Sequence, residues 1–205
     1  MQEMRAILLS IGFVLTMRAV SLARPYTIEH YDAHLALDLE HRSLTGKETI
    51  LLRSTTPSVT EIELDADEII LESVRVGKKS QVFSQLPAHV AIHLGTPLQL
   101  GERLSMTLTF HGSPTKGLIF SGSEAYTVYR TSQWLVVNHE PSDLATLRLS
   151  LRVPAGTVVI GNGQNVSTRT VGPDLISEWN ERRAIPDFVF GFRSGTVYAE
   201  QNKLG

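Results

Sequence analysis

The sequence predicts an all-β fold, an antiparallel multi-sheet sandwich of many short strands. Three observations carry this expectation. Apolar and polar residues alternate with a period of two along much of the chain. Glycine- and proline-marked turns divide it at intervals of roughly 8–12 residues. No segment beyond the first two dozen residues keeps the apolar period of about 3.6 that marks an amphipathic helix.

The elements follow in order. Tyr31, Ala33, Leu35, Leu37 and Leu39 point one way while Asp32, His34, Ala36 and Asp38 point the other, so residues 31–39 read as a half-buried strand. Residues 42–46 supply a turn, and 48–53 form the returning arm of a hairpin. Residues 59–64 and 69–76 are the next two strands, the second closed by Gly77-Lys78-Lys79. Residues 89–94 and 104–111 follow, separated by Gly95-Thr96-Pro97 and Gly101-Glu102-Arg103. Beyond Gly112-Ser113-Pro114 the expected strands are 126–129, 146–153, 158–161, 175–179 and 188–192. Asn162-Gly163 and Gly172-Pro173-Asp174 are the strongest turn signals among them. There is no internal repeat, low-complexity tract or linker.

The start of the chain reads differently. Arg5 precedes an apolar run of about a dozen residues, 6–17, and Ser21-Leu22-Ala23 places small residues at its first and third positions. This is the layout of a secretory signal peptide, residues 1–23, cleaved after Ala23, although Glu3 and Arg18 depart from the pattern. The run is too short to cross a bilayer, which takes roughly 20 apolar residues. The expected product is residues 24–205, one domain, secreted or periplasmic, with no membrane span. A net charge of −2 over 205 residues gives no electrostatic case for nucleic acid or an anionic membrane. The absence of cysteine excludes disulfides, thiolate catalysis and cysteine–zinc sites.

Few residues suggest chemistry. His30 with His34, and His89 with His93, are spaced by four; on a strand that is about 13 Å, too far to share a metal, so solvent-facing histidines are expected. Asp65, Asp67, Glu68 and Glu72 could hold a hard cation but read as a solvated turn. His139-Glu140 has the residue types of an acid/base pair but no third group near it in sequence, and reads as a surface turn. Gly161, Gly163 and Gly172 are turn glycines, because no strand-to-helix transition follows them. Trp134 and Trp179 are expected core anchors, with Trp134 also placed to serve an interface. Asn165-Val166-Ser167 is an acceptor sequon for N-glycosylation in a eukaryotic secretory pathway.

Several phrases, in order, resemble one family. The stretch Y-D-A-H-L-A-L-D-L-E-H-R-S-L-T-G-K-E-T-I-L-L-R over 31–53 and L-D-A-D-E over 64–68 followed by Glu72-Ser73-Val74 come first. Gly101-Glu102 before 104–110, then Gly112 and Gly117-Leu118, come next. Val153-Pro154-Ala155-Gly156 with Gly161-Asn162-Gly163, and Ile185-Pro186-Asp187-Phe188 with Gly191-Phe192 and Gly195, complete the set. Together they resemble the N-terminal domain of the aminopeptidase N / leukotriene A4 hydrolase family of zinc metallopeptidases. The resemblance implies that family's saddle-like all-β domain, which stands beside a thermolysin-like catalytic domain.

The family's catalytic signature is His-Glu-x-x-His, two zinc ligands one helical turn apart with a glutamate that activates water. Here His139-Glu140 is followed by Pro141-Ser142-Asp143, so the second histidine is missing and a proline stands where a helix would run. The family's Gly-x-Met-Glu-Asn motif is absent too. Ser132-Gln133 matches the start of the phrase by which the N-terminal domain lends a residue to the substrate amine, but Leu135 occupies the amine-binding position. Residues 136–141 replace the Pro-Cys-x-Asp-Glu-Pro turn, keeping Glu140 and Pro141. The expectations are a non-catalytic domain and no catalytic residue or metal ligand in this chain. No cofactor is expected either, zinc belonging only to a catalytic domain elsewhere. Gln133, Trp134, His139 and Glu140 are the substrate-side or interface candidates. The expected partner is a metallopeptidase catalytic domain, in cis or in trans. The alternative is a free-standing secreted module that binds a peptide or protein.

Overall fold

The computed structural model describes residues 23–196. The expected signal peptide, but for Ala23, lies outside the described residues. The strands in chain order are β1 (Tyr26–Asp38), β2 (Ser43–Ser54), β3 (Val59–Asp65), β4 (Ile69–Val76) and β5 (Lys79–Ser80). Next come β6 (Val82–Leu86), β7 (His89–Leu98), β8 (Arg103–Gly112), β9 (Leu118–Ser121) and β10 (Glu124–Thr127). The last are β11 (Leu144–Pro154), β12 (Val158–Gly161), β13 (Gln164–Val171), β14 (Asp174–Pro186) and β15 (Phe192–Gly195). Two short 3-10 turns, Thr131–Gln133 and Asp187–Val189, interrupt them. The chain is all-β, as its alternation predicts. No helix among the described residues is long and apolar enough to cross a membrane.

The strands form three sheets. The largest has eight strands in the order β13-β14-β11-β1-β2-β8-β4-β5; a four-stranded sheet runs β12-β15-β10-β9 and a three-stranded one β3-β7-β6. Neighbours are antiparallel except β1 and β11, which pair in parallel from His30 opposite Thr146 to Ala36 opposite Arg152. Sequence pattern does not distinguish this pair, because parallel and antiparallel strands share the period-two alternation.

Alternation builds the core. Tyr31, Ala33 and Leu35 of β1, Ile50 and Leu52 of β2, Met106, Leu108 and Phe110 of β8, and Leu147, Leu149 and Leu151 of β11 share the buried face of the large sheet. The other two sheets add Ile62, Leu64, Val90, Ile92, Leu118, Ala125, Val159 and Phe192 to the same core. Each buried Val, Leu, Ile, Met or Phe among them contributes about 1.5–3 kcal/mol. A bulge between Ile28 and His30 shifts the register of β1. It lets Tyr26 and Ile28 share the buried face with Tyr31 and Ala33 although their numbering parity differs. Gly46 is an inward position where a Cβ would collide with the Phe110 ring, so only glycine lets that ring fill the layer.

Four strands escape the sequence reading, among them the two-residue β5 at the expected Gly77-Lys78-Lys79 turn, and one expected strand moves. β13 is an edge strand with almost every side chain exposed, so backbone pairing to β14 defines it rather than alternation. β6 and β9 are short. The strand expected over 188–192 begins only at Phe192. Asp187–Val189 is instead a 3-10 turn whose first carbonyl accepts the Phe190 N–H at 2.8 Å.

Candidate functional site

All four expected site residues lie on the stretch that leaves the Thr131–Gln133 turn and crosses the buried face of the large sheet. Gln133 is wholly enclosed. Its Oε1 accepts the Gly117 N–H, and its Nε2 donates to Asp67 Oδ2 at 2.9 Å. Trp134 has 0% exposure and packs edge-on against Phe192, ring centroids 5.3 Å apart. Both side chains therefore act inside the domain and offer no surface to a ligand.

Leu135, Val136 and Val137 follow, all buried. This strap is held from two sides. Val137 and Asp65 exchange backbone hydrogen bonds at 2.7 and 3.0 Å. From beneath, Glu48 Oε2 accepts the Val136 N–H at 3.0 Å and the Tyr31 hydroxyl accepts the Asn138 N–H at 3.0 Å. Alternate N–H groups of the strap are thus satisfied by side chains of the two central strands.

The strap ends at the surface with His139. Its backbone N–H donates to Asp65 Oδ2 at 2.8 Å, and its ring Nδ1 lies 2.7 Å from Asp187 Oδ2. Asp187 is 3% exposed, and its Oδ1 is buried without a hydrogen-bond partner among the described residues. Burial raises the Asp187 carboxyl above its ordinary range, and His139 moderates the rise. The His139 ring is half exposed, so its second nitrogen is free to meet a ligand or partner. Glu140 is half-buried in the turn, its N–H donating to the Asn138 carbonyl at 2.8 Å.

Asp65 is the hub of this end. Burial alone would raise its carboxyl, but the Arg24 guanidinium and the His139 N–H hold it below the ordinary range. Arg24 contacts both Asp65 oxygens, at 2.6 and 3.0 Å, and donates to Asn138 Oδ1 at 2.7 Å.

Beside His139 the surface turns apolar. Val128, Tyr129, Phe188 and Val189 are exposed together, Tyr129 to 78%. They line an open groove of ≈ 430 Å³ with Thr127, Phe190 and Gly191. Tyr129 holds a φ of 51°, an uncommon conformation for a bulky residue.

The other candidates do not converge. Asp67 serves Gln133, Glu68 accepts from the Thr115 N–H and hydroxyl, and Glu72 pairs with His111 at 2.8 Å. His34 lies 3.3 Å from Asp32, while half-buried His30 contacts Thr146 Oγ1 at 2.7 Å. His89 lies 3.2 Å from Asp65 and His93 2.8 Å from Glu61. Among the described residues no three or more His, Asp or Glu side chains are grouped to hold a metal ion. Asn165 sits on edge strand β13 with its amide turned to Ser177 and Glu178.

Sequence reasoning missed Asp187 and Glu48. Glu48 was legible, since it interrupts the inward series Leu44, Gly46, Ile50 and Leu52. Asp187 was not, because its histidine lies 48 residues away.

No family model matches the sequence, and no curated protein matches it. Solved structures do. A two-domain M1 zinc metallopeptidase mutant bound to L-tryptophan superposes with a TM-score of 0.79 at 22% identity, over 84% of this chain and 43% of that one. An M1 zinc metallopeptidase from Deinococcus radiodurans gives the same TM-score and identity, over 84% of this chain and 42% of its own. A mutant of it bound to a Tyr-Ser-Ala substrate gives 0.79, 22%, 84% and 43%. This chain spans less than half the length of those it matches, and it shares their fold over that part.

Proposed function

We propose that this chain is the non-catalytic β domain of a zinc aminopeptidase-like protein and packs beside a metallopeptidase catalytic domain. One observation carries the reading: the fold it shares fills 43% of a metallopeptidase chain and leaves the larger part of that chain without a counterpart here. The apolar edge formed by Val128, Tyr129, Phe188 and Val189 supports it. Neighbouring exposed apolar side chains mark a surface that another domain covers. His139 is joined to that edge through Asp187, the chain neighbour of Phe188, and with Glu140 beside it in sequence would face the cleft between domains.

Export of the protein belongs to the same proposal, supported by the leader-like layout of residues 1–23. The test is the intact mass and zinc content of the native product, with any copurifying subunit identified. The expected result is a catalytic chain, covalent or associated, giving a mass far above 22.7 kDa and about one zinc per complex. A lone chain of residues 24–205, without zinc or partner, overturns the proposal.

A further inference from the structure

We propose that Glu48 is a proton-operated latch beneath residues 134–139: neutral, it seats this strap on the large sheet; ionised, it releases the strap and with it the orientation of His139. The inference goes beyond the domain's proposed place beside a catalytic domain and does not depend on it.

Glu48 has 0% exposure. Its cross-strand partners are Ala33 on β1 and Leu108 on β8, both buried and apolar. One carboxyl oxygen accepts the Val136 N–H, and the other is enclosed with no partner among the described residues. The titratable group that faces it from β1 is Tyr31, whose phenol burial holds protonated. Trp134 to Asn138, which cover it, carry no charge. Among the described residues no cation opposes the carboxylate, so burial dominates and pushes Glu48 up to about 8, with the Val136 N–H acting against it.

An ionised Glu48 therefore needs water, since a buried carboxylate with one hydrogen bond and no counter-charge is strongly disfavoured. The walls around it differ in strength. β2 is paired with β1 on one side and β8 on the other along most of its length. Backbone pairing joins the strap to the sheets at one isolated bridge, Val137 with Asp65; its other ties are side-chain hydrogen bonds, among them those to Glu48, Tyr31 and Asp65. Water gains entry at least cost by lifting the strap. Trp134, whose indole N–H also lacks a partner among the described residues, begins the strap, and His139 ends it. Movement would therefore be read at both ends.

The test uses the expressed protein. The chain has two tryptophans, so Trp179→Phe leaves Trp134 as the only indole reporter. Its emission, and the exchange protection of the Val136 and His139 amides, are followed from about pH 5 to about pH 9.5 in chains with Glu48 and with Glu48→Gln. The expected result is a red shift centred near the ionisation of Glu48 and a loss of Val136 protection of about tenfold or more, with far-ultraviolet dichroism unchanged. Glu48→Gln keeps the acceptor but cannot ionise, and should remain flat. A pH-independent Trp134 signal with Glu48 present, or the same transition in Glu48→Gln, overturns the latch. Should Glu48→Gln fail to fold, the carboxyl carbon resonance of Glu48 in the unsubstituted protein gives its own midpoint. A midpoint that does not coincide with the loss of Val136 protection also overturns the proposal.

Discussion

His139 Nδ1 stands 2.7 Å from the Oδ2 of Asp187, joining the end of the buried strap to the 3-10 turn that precedes β15. A half-exposed imidazole is thereby fixed by an almost wholly buried carboxylate. His139→Ala removes the partner and leaves that carboxylate enclosed. A carboxyl raised in the folded state gives stability that is complete below its ordinary value and is lost as pH rises through the folded value. The raised value of Asp187 should therefore climb further in the variant. Urea unfolding should show a loss of about 1–3 kcal/mol at neutral pH and a smaller loss near pH 4. Equal losses at both pH values would refute this account.

Arg24→Ala tests the opposite sign. Asp65 is held below its ordinary range, so its contribution is present at neutral pH and disappears as pH falls through the folded value. The variant should lose about 1.5–3 kcal/mol at neutral pH, as for hydrogen bonds to a charged group, and the difference should shrink in acid. Denaturant midpoints measured against pH decide it.

Gly46→Ala places a methyl group against the Phe110 ring in the middle of the large sheet. Overpacking of this kind costs about 1–3 kcal/mol. Trp134→Ala leaves a cavity in place of a fully buried indole and should cost about 3–5 kcal/mol. Thermal unfolding of both variants should rank them in that order.

Tyr129→Gly should stabilise the isolated domain by up to about 1 kcal/mol, because glycine tolerates the positive φ that tyrosine holds there. The same change should weaken association with a partner that covers the apolar edge. Sedimentation of the isolated domain should show less self-association, and a variant that associates as strongly as the parent would exclude Tyr129 from the contact.

The large sheet was legible because its strands obey a period of two and its turns carry glycine, proline or asparagine. β13 was not, since an exposed edge strand has no apolar phase to read. Trp134 to Val137 form an unbroken apolar run, which reads as altered turn or core but does not reveal that the segment is strapped from below. Gln133 and Trp134 stood out by residue type, yet their bonds run inward, and the surface is made by Tyr129 and Phe188 from segments far apart in sequence. Such a surface exists only after the four-stranded sheet has brought β10 beside β15.

The parallel pairing of β1 with β11 sets an order of events in folding. Tyr31 cannot acquire its neighbour Leu147 until more than a hundred intervening residues have been made. A ribosome-bound chain ending before β11 could pair β1, β2 and β8 but would leave one edge of β1 open, its backbone donors and acceptors available to any other extended strand. Contacts between residues so distant in sequence also slow folding, because the entropy of closing the loop is lost before the contact forms. The interval before β11 arrives is when this chain is most exposed to mispairing, and a holding factor would have the most effect then.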